Sequence, residues 1–141
     1  MVLDFFLAEY GEEALGAWAR FEGLLPLMAR GGRFIASHAE PRRAYSPEEI
    51  IGARGDHDVV TGLTWTRDGE SAEGSVNGML ESFLPGVEGA FYFGGHRIVS
   101  SGYALRAGGR FVQLHDPVNR SVACVAADAA FNPERDVRSV K

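Results

Sequence analysis

The residues best placed to do chemistry lie in the last third of the chain. Gly94-Gly95-His96-Arg97-Ile98-Val99-Ser100-Ser101-Gly102-Tyr103 is followed by Phe111-Val112-Gln113-Leu114-His115-Asp116-Pro117. Read as two strands of a hairpin turning at Ala107-Gly108-Gly109, antiparallel pairing brings the start of the first strand opposite the end of the second. His96 and Asp116 would then lie side by side. A carboxylate in that position accepts the ring N–H and sets the tautomer and orientation of an acid/base histidine. Gly94 and Gly95 let backbone approach the imidazole. The same residues also fit a plain strand-end histidine and an aspartate that starts a turn before proline.

The elements that must position this pair read as helices first and strands afterwards. Val2, Phe5, Phe6 and Glu9-Tyr10 follow helical spacing, and Gly11 is a natural stop. Glu12-Glu13 open a second helix along which Leu15, Trp18, Phe21, Leu25 and Met28 recur on one face. Pro26 should kink or end that helix early, and Arg30-Gly31-Gly32 close it. The stripe of Trp18, Phe21 and Leu25 is expected in the core. Arg33–Ala36 reads as a short strand, and residues 38–46 as a loop. Ser46-Pro47-Glu48-Glu49 has the cap, proline and acids of a helix start, with Gly52 and Gly55 ending it. Val59–Thr66 is β-branched and reads as a strand, Asp68–Gly74 as a turn, and Ser75–Leu84 as a helix stopped by Pro85-Gly86. Gly89–Phe93, Arg97–Tyr103, Arg110–Leu114 and Ser121–Val125 then read as strands, and the polar tail from Asn132 is expected to fray. The fold class is α+β, with N-terminal helices packed on a C-terminal antiparallel sheet in a single domain over residues 1–141.

Composition narrows the function. The 141 residues carry 19 acidic against 14 basic side chains, a net charge of −5. Arg42-Arg43 is the longest arginine cluster, too small for a phosphate-tracking stripe, so nucleic acid is disfavoured as a partner. The single cysteine, Cys124, excludes an internal disulfide framework and a cysteine-based zinc cage. No apolar run approaches a membrane span. The start of the chain has Asp4 inside it and no basic flank, so it does not read as a signal peptide, and the expected location is the cytoplasm. No phosphate-loop motif follows the Gly86–Gly95 region. The pattern calls for no cofactor and no metal.

The run GGHRIVSSGY…GGRFVQLHDP resembles the C-terminal half of papain-like cysteine peptidases of the C39/C70 kind, the bacteriocin-processing and bacterial-effector branch. That resemblance implies a papain-like fold and a peptide or protein substrate held extended beside the sheet. It also implies His96 as general base and Asp116 as the carboxylate that orients it. The start, MVLDFFLAEYG, is similar to the end of that family's central helix, and Val76–Leu84 leading into Val87–Phe93 is similar to the segment before the histidine. The family's nucleophilic cysteine and its oxyanion-hole glutamine stand ahead of that first helix. Here the helix begins at Met1, so the nucleophile is missing and a His–Asp pair has nothing to activate. The resemblance therefore implies a truncated peptidase-like hydrolase or a catalytically inactive peptide-binding module of the same fold.

Cys124 is the one other candidate nucleophile. It follows His96, reversing the family's order, as circularly permuted relatives do when the cysteine opens a helix. Ala123–Ala130 could be that helix, and Ser121–Val125 reads equally as a buried strand with Cys124 as a small core residue. A third reading is a cone-shaped α+β domain resembling the nuclear-transport-factor-like superfamily, with a ligand pocket lined by Trp18, Phe21, Trp65 and Tyr103. Asp56-His57-Asp58 reads as a solvated loop, because chain neighbours point different ways. His115 should project away from Asp116 as a surface residue, and His38 sits in a loop without partners. Glu48, Glu49, Asp68, Glu70 and Glu73 read as solvated faces.

Overall fold

The computed structural model describes residues 2–126 and 129–140. Helix α1 spans Val2–Glu22 and is broken at Gly11, whose φ of 78° and ψ of 172° are not helical. A residue without a Cβ adopts that φ at little cost, so the stop expected there becomes a kink between two helical segments. The helix ends at Glu22, ahead of Pro26, and Met28 lies not in a helix but in strand β1 (Met28–Arg30). The expected core stripe does not reach the core: Trp18, Phe21 and Leu25 are 50%, 53% and 52% exposed. The α1 rings meet one another instead, Trp18 touching Phe6 and Phe21, and Phe6 touching Tyr10. Helical periodicity marks an apolar face and says nothing of what that face packs on.

The remaining elements, in chain order, are β2 (Phe34–Ser37), α2 (Pro47–Ile51), α3 (His57–Thr64), α4 (Ser75–Phe83), β3 (Phe91–Gly94), β4 (Ala104–Arg106), β5 (Phe111–Gln113), β6 (Ser121–Ala123), α5 (Pro133–Asp136) and β7 (Val137–Ser139). Five strands form one sheet in the order β1-β2-β3-β5-β4, and β6 pairs with β7 in a separate ribbon. The main sheet is mixed, which corrects the expected C-terminal antiparallel sheet. Its three central strands, β2, β3 and β5, run parallel, while β1 and β4 are antiparallel edges. Parallel neighbours need long crossovers. Helices α2, α3 and α4 supply one between β2 and β3, and the loop, β4 and turn after β3 supply the other.

Several local expectations change with it. Residues 57–64 form a helix, not a strand, because Asp56 caps it through bonds from the amides of Asp58 and Val59. The stretch 97–103 is irregular, and the strand of the Gly108 hairpin is the shorter β4. Within the described residues the tail does not fray from Asn132. Asn132 caps α5, and β7 pairs antiparallel with β6. Among the described residues no helix is long and apolar enough to cross a membrane.

Alternation along the central strands sorts side chains to two cores, as period-two geometry requires. Ile35, Tyr92 and Phe111 join Val59, Leu63, Val76, Met79 and Leu80 on the helical side. Phe93 and Val112 meet Phe131 on the other side, with Phe34, Phe91 and Tyr103 packed around them. Both faces of the parallel strands are thus covered.

Candidate functional site

Parallel strands end on the same side of a sheet, and here each central strand delivers a histidine at that end. His38 follows β2 directly, His96 stands two residues past β3, and His115 two residues past β5. His38 Nε2 and His96 Nδ1 are 3.1 Å apart, with ring centroids at 5.1 Å. His115 Nδ1 lies 3.2 Å from the His96 carbonyl oxygen, which makes Nδ1 the protonated nitrogen of that ring. The three imidazoles line an open groove of ≈ 390 Å³ with Phe93, Gly94, Gly95 and Leu114. Among the described residues no carboxylate lines it.

The chain pins this cluster from below. The amides of Gly95 and His96 both donate to the His38 carbonyl, at 2.9 and 2.8 Å. Gln113, which is buried, donates from Nε2 to the Arg97 carbonyl at 2.7 Å and holds the turn after His96. Gly94 is required where it stands, since a Cβ there would come within 2.6 Å of Phe111 Cζ. Trp65 meets the His96 ring edge-on at 5.4 Å. Beside the groove, Asp68 pairs with both Arg97 and Arg106, and Arg106 with Glu40. Asp68 is therefore an ion-pair hub and not a plain solvated face.

Burial pushes the His96 imidazole below its ordinary pKa, and repulsion from neighbouring cationic groups, Arg97 among them, pushes the same way. At neutral pH the ring is uncharged, so it serves as a lone-pair donor or a hydrogen-bond partner to His38.

Asp116 does not join His96. Its Oδ1 accepts from the amides of Val118 and Asn119, and its Oδ2 from the Gly102 amide and the Asn119 side chain. These bonds, the Asn119 side chain first, hold its carboxyl down at about 2. The residue is a turn organiser, as the competing reading of Asp before Pro allowed. The hairpin argument paired the right neighbours, β4 with β5. Because β4 begins only at Ala104, however, Gln113 faces Ala104, and the opening end of the pair holds no histidine.

The other candidates separate as well. Cys124 is exposed just past β6, neither buried in a strand nor at a helix start; residues 127 and 128 of the helix considered for it lie outside the described residues. His57 sits on the first turn of α3 near Thr61, and Asp58 pairs with Arg43. The aromatic pocket considered for a cone-shaped domain is not formed, since Trp65 is 67% exposed and Trp18 and Phe21 lie on α1. His38, read as partnerless, is the direct partner of His96. The signal available for it was its position next to an apolar strand-like run, and it becomes meaningful only once β2 and β3 are parallel neighbours.

Among the described residues no group of three His, Cys, Asp or Glu stands close enough to hold a metal ion by itself. His38 and His96 still meet the demands of a ligand pair: two imidazoles bound to one zinc ion at 2.0–2.1 Å place their nitrogens about 3.3 Å apart. No family model and no curated protein matches the chain.

Proposed function

We propose that this chain contributes to a metal-assisted hydrolase site for phosphate esters, with His38 Nε2 and His96 Nδ1 as two neutral ligands of a zinc-like dication. The observation that carries the reading is the delivery of His38, His96 and His115 from the ends of three adjacent parallel strands. The carboxyl ends of parallel strands are where open α/β sheets bind ligands. The other coordination positions would be left to water and substrate. A dication held there would supply Lewis-acid polarisation of a phosphoryl oxygen and would activate water at neutral pH. His115, fixed through Nδ1, keeps Nε2 for a proton or a substrate oxygen. The positive charge that selects an anionic ester would come from the bound dication, since the His96 ring is itself neutral.

Zinc titration followed by the ring resonances of the four histidines tests this. Shifts confined to His38, His96 and His115 are expected, and His38→Ala with His96→Ala should weaken binding at least about 100-fold. Uptake should fall as pH drops through the histidine range, because protons compete with the metal for the ring nitrogens. Unchanged affinity in the double variant would overturn the assignment.

A peptidase-like hydrolase, or an inactive peptide-binding relative, is the second reading. The observation favouring it is His96 beside Gly94 and Gly95 in an open groove. It expects peptide binding that depends on His96 and is indifferent to chelators, whereas the metal reading expects hydrolysis of an aryl phosphate that chelators abolish.

A further inference from the structure

We infer that the bent helix α1 and the groove beside its end form the interface through which two copies of this chain pair, a surface separate from the histidine groove and independent of the metal reading. Along a straight helix Phe6 and Trp18 would stand about 18 Å apart. Their ring centroids are 6.4 Å apart, because Gly11 folds the two segments of α1 toward each other. Tyr10 packs on Phe6 and Phe21 on Trp18, so the bend gathers four rings on one element. Among the described residues, neither hydrophobic core takes in an α1 side chain, and α1 packs extensively on no other element. The apolar surface continues past the helix into a groove of ≈ 510 Å³, lined by Leu24, Leu25, Leu27 and Met28 together with Ile50 and Ile51 of α2.

The amount of this surface fits a second copy. Tyr10, Trp18 and Phe21 are each half exposed or more. Rings of this kind bury roughly 150–250 Å² apiece, so these three leave about 300 Å² to cover. Leu24, Leu25 and Ile51, exposed by 71%, 52% and 85%, add roughly 200 Å². The total, about 500 Å², is near the top of the range for the largest apolar patch on a monomer. It is also what one side of a stable homodimer supplies, roughly 800 Å² of which about 65% is apolar. In a two-fold pairing the same face serves both copies, so the rings of one α1 meet those of the other. Charge argues against a lipid surface. Helices that lie on membranes carry lysine and arginine on the polar face, whereas α1 sets Asp4, Glu9, Glu12, Glu13 and Glu22 against Arg20 alone. Between two copies these carboxylates repel, so pairing should tighten as salt screens them.

Sedimentation equilibrium of the full chain over a range of concentrations tests this. A reversible monomer–dimer equilibrium in the micromolar range or tighter is expected, strengthening with added sodium chloride. Trp18→Ser and Phe21→Ser should each weaken pairing at least about 30-fold, as truncation of a buried aromatic anchor does. Ile51→Ser, on the separately capped α2, should weaken it about tenfold, and it decides the matter should an α1 variant fail to fold. Val118→Ser, at an exposed apolar position outside this surface, should leave pairing unchanged. Denaturant unfolding at a dilution where the chain is monomeric should differ little among the variants, which separates lost pairing from lost folding. A chain monomeric at every concentration would overturn the proposal, whether or not it sediments with phosphatidylcholine vesicles. So would a dimer that the three surface variants leave intact, one that Val118→Ser abolishes, or one that salt dissociates.

Discussion

Strands β2, β3 and β5 and helix α1 are both rich in large apolar side chains, yet they sit in opposite environments. Ile35, Tyr92 and Val112 are fully buried between helices on one face and the Phe131 cluster on the other. Leu3, Phe5, Tyr10, Trp18 and Phe21 on α1 are all half exposed or more. The difference lies in geometry. A parallel strand shares its hydrogen bonds with two neighbours and is covered on both faces, so its burial follows from the sheet closing around it. A helix satisfies its own backbone and stays helical whether or not its apolar face finds a surface. The histidine cluster follows the same division, for His38, His96 and His115 stand where the central strands end, with two imidazole nitrogens at 3.1 Å.

If that contrast is real, truncation should hurt very unequally. Ile35→Ala, at a fully buried position, should cost about 2–5 kcal/mol in denaturant unfolding. Loss of less than that would mean the central strands are not the cohesive unit. The loop beyond β5 should respond to acid instead. Asp116 has its pKa depressed to about 2 in the folded chain, so its contribution is present above the ordinary aspartate range and is lost as pH falls through about 2. Asp116→Asn should melt lower at neutral pH and lose that acid sensitivity, while zinc-induced shifts at His96 persist. If Asp116→Asn removed those shifts too, the aspartate would act on the histidine after all. The smallest effect belongs to α1: Trp18→Ser and Phe21→Ser should each change stability by no more than about 0.5 kcal/mol. A larger loss would show that the aromatic contacts within α1 hold the domain together.

Much of the local structure was legible from residue types. The Ser46-Pro47-Glu48-Glu49 pattern became a capping box on α2, with the Ser46 hydroxyl and the Glu49 carboxylate exchanging bonds with backbone amides. Gly11 broke α1, Ser75–Phe83 became a helix with Val76, Met79 and Leu80 inward, and Phe91–Phe93 and Phe111–Gln113 became strands. The misses have separate causes. Val59–Thr66 has β-branched residues, and a capping aspartate outweighed that weak preference. The tail looked too polar to order, yet β7 needs only backbone pairing to β6.

His96 could be singled out from the sequence, because a glycine-flanked histidine at the end of an apolar run is visible in one dimension. Its partner was not visible. Nearness along the chain favoured Asp116, through a hairpin that needs only a short turn. The sequence by itself determined which residues could cap, turn, alternate or carry a lone pair, since those depend on φ, hydrogen-bonding groups and burial preference within a few positions. Only the tertiary structure decided that β2 and β3 run parallel across three intervening helices, which sets His38 against His96 from 58 positions away. Strand direction in a sheet is a property of the whole crossover, and no local spacing encodes it.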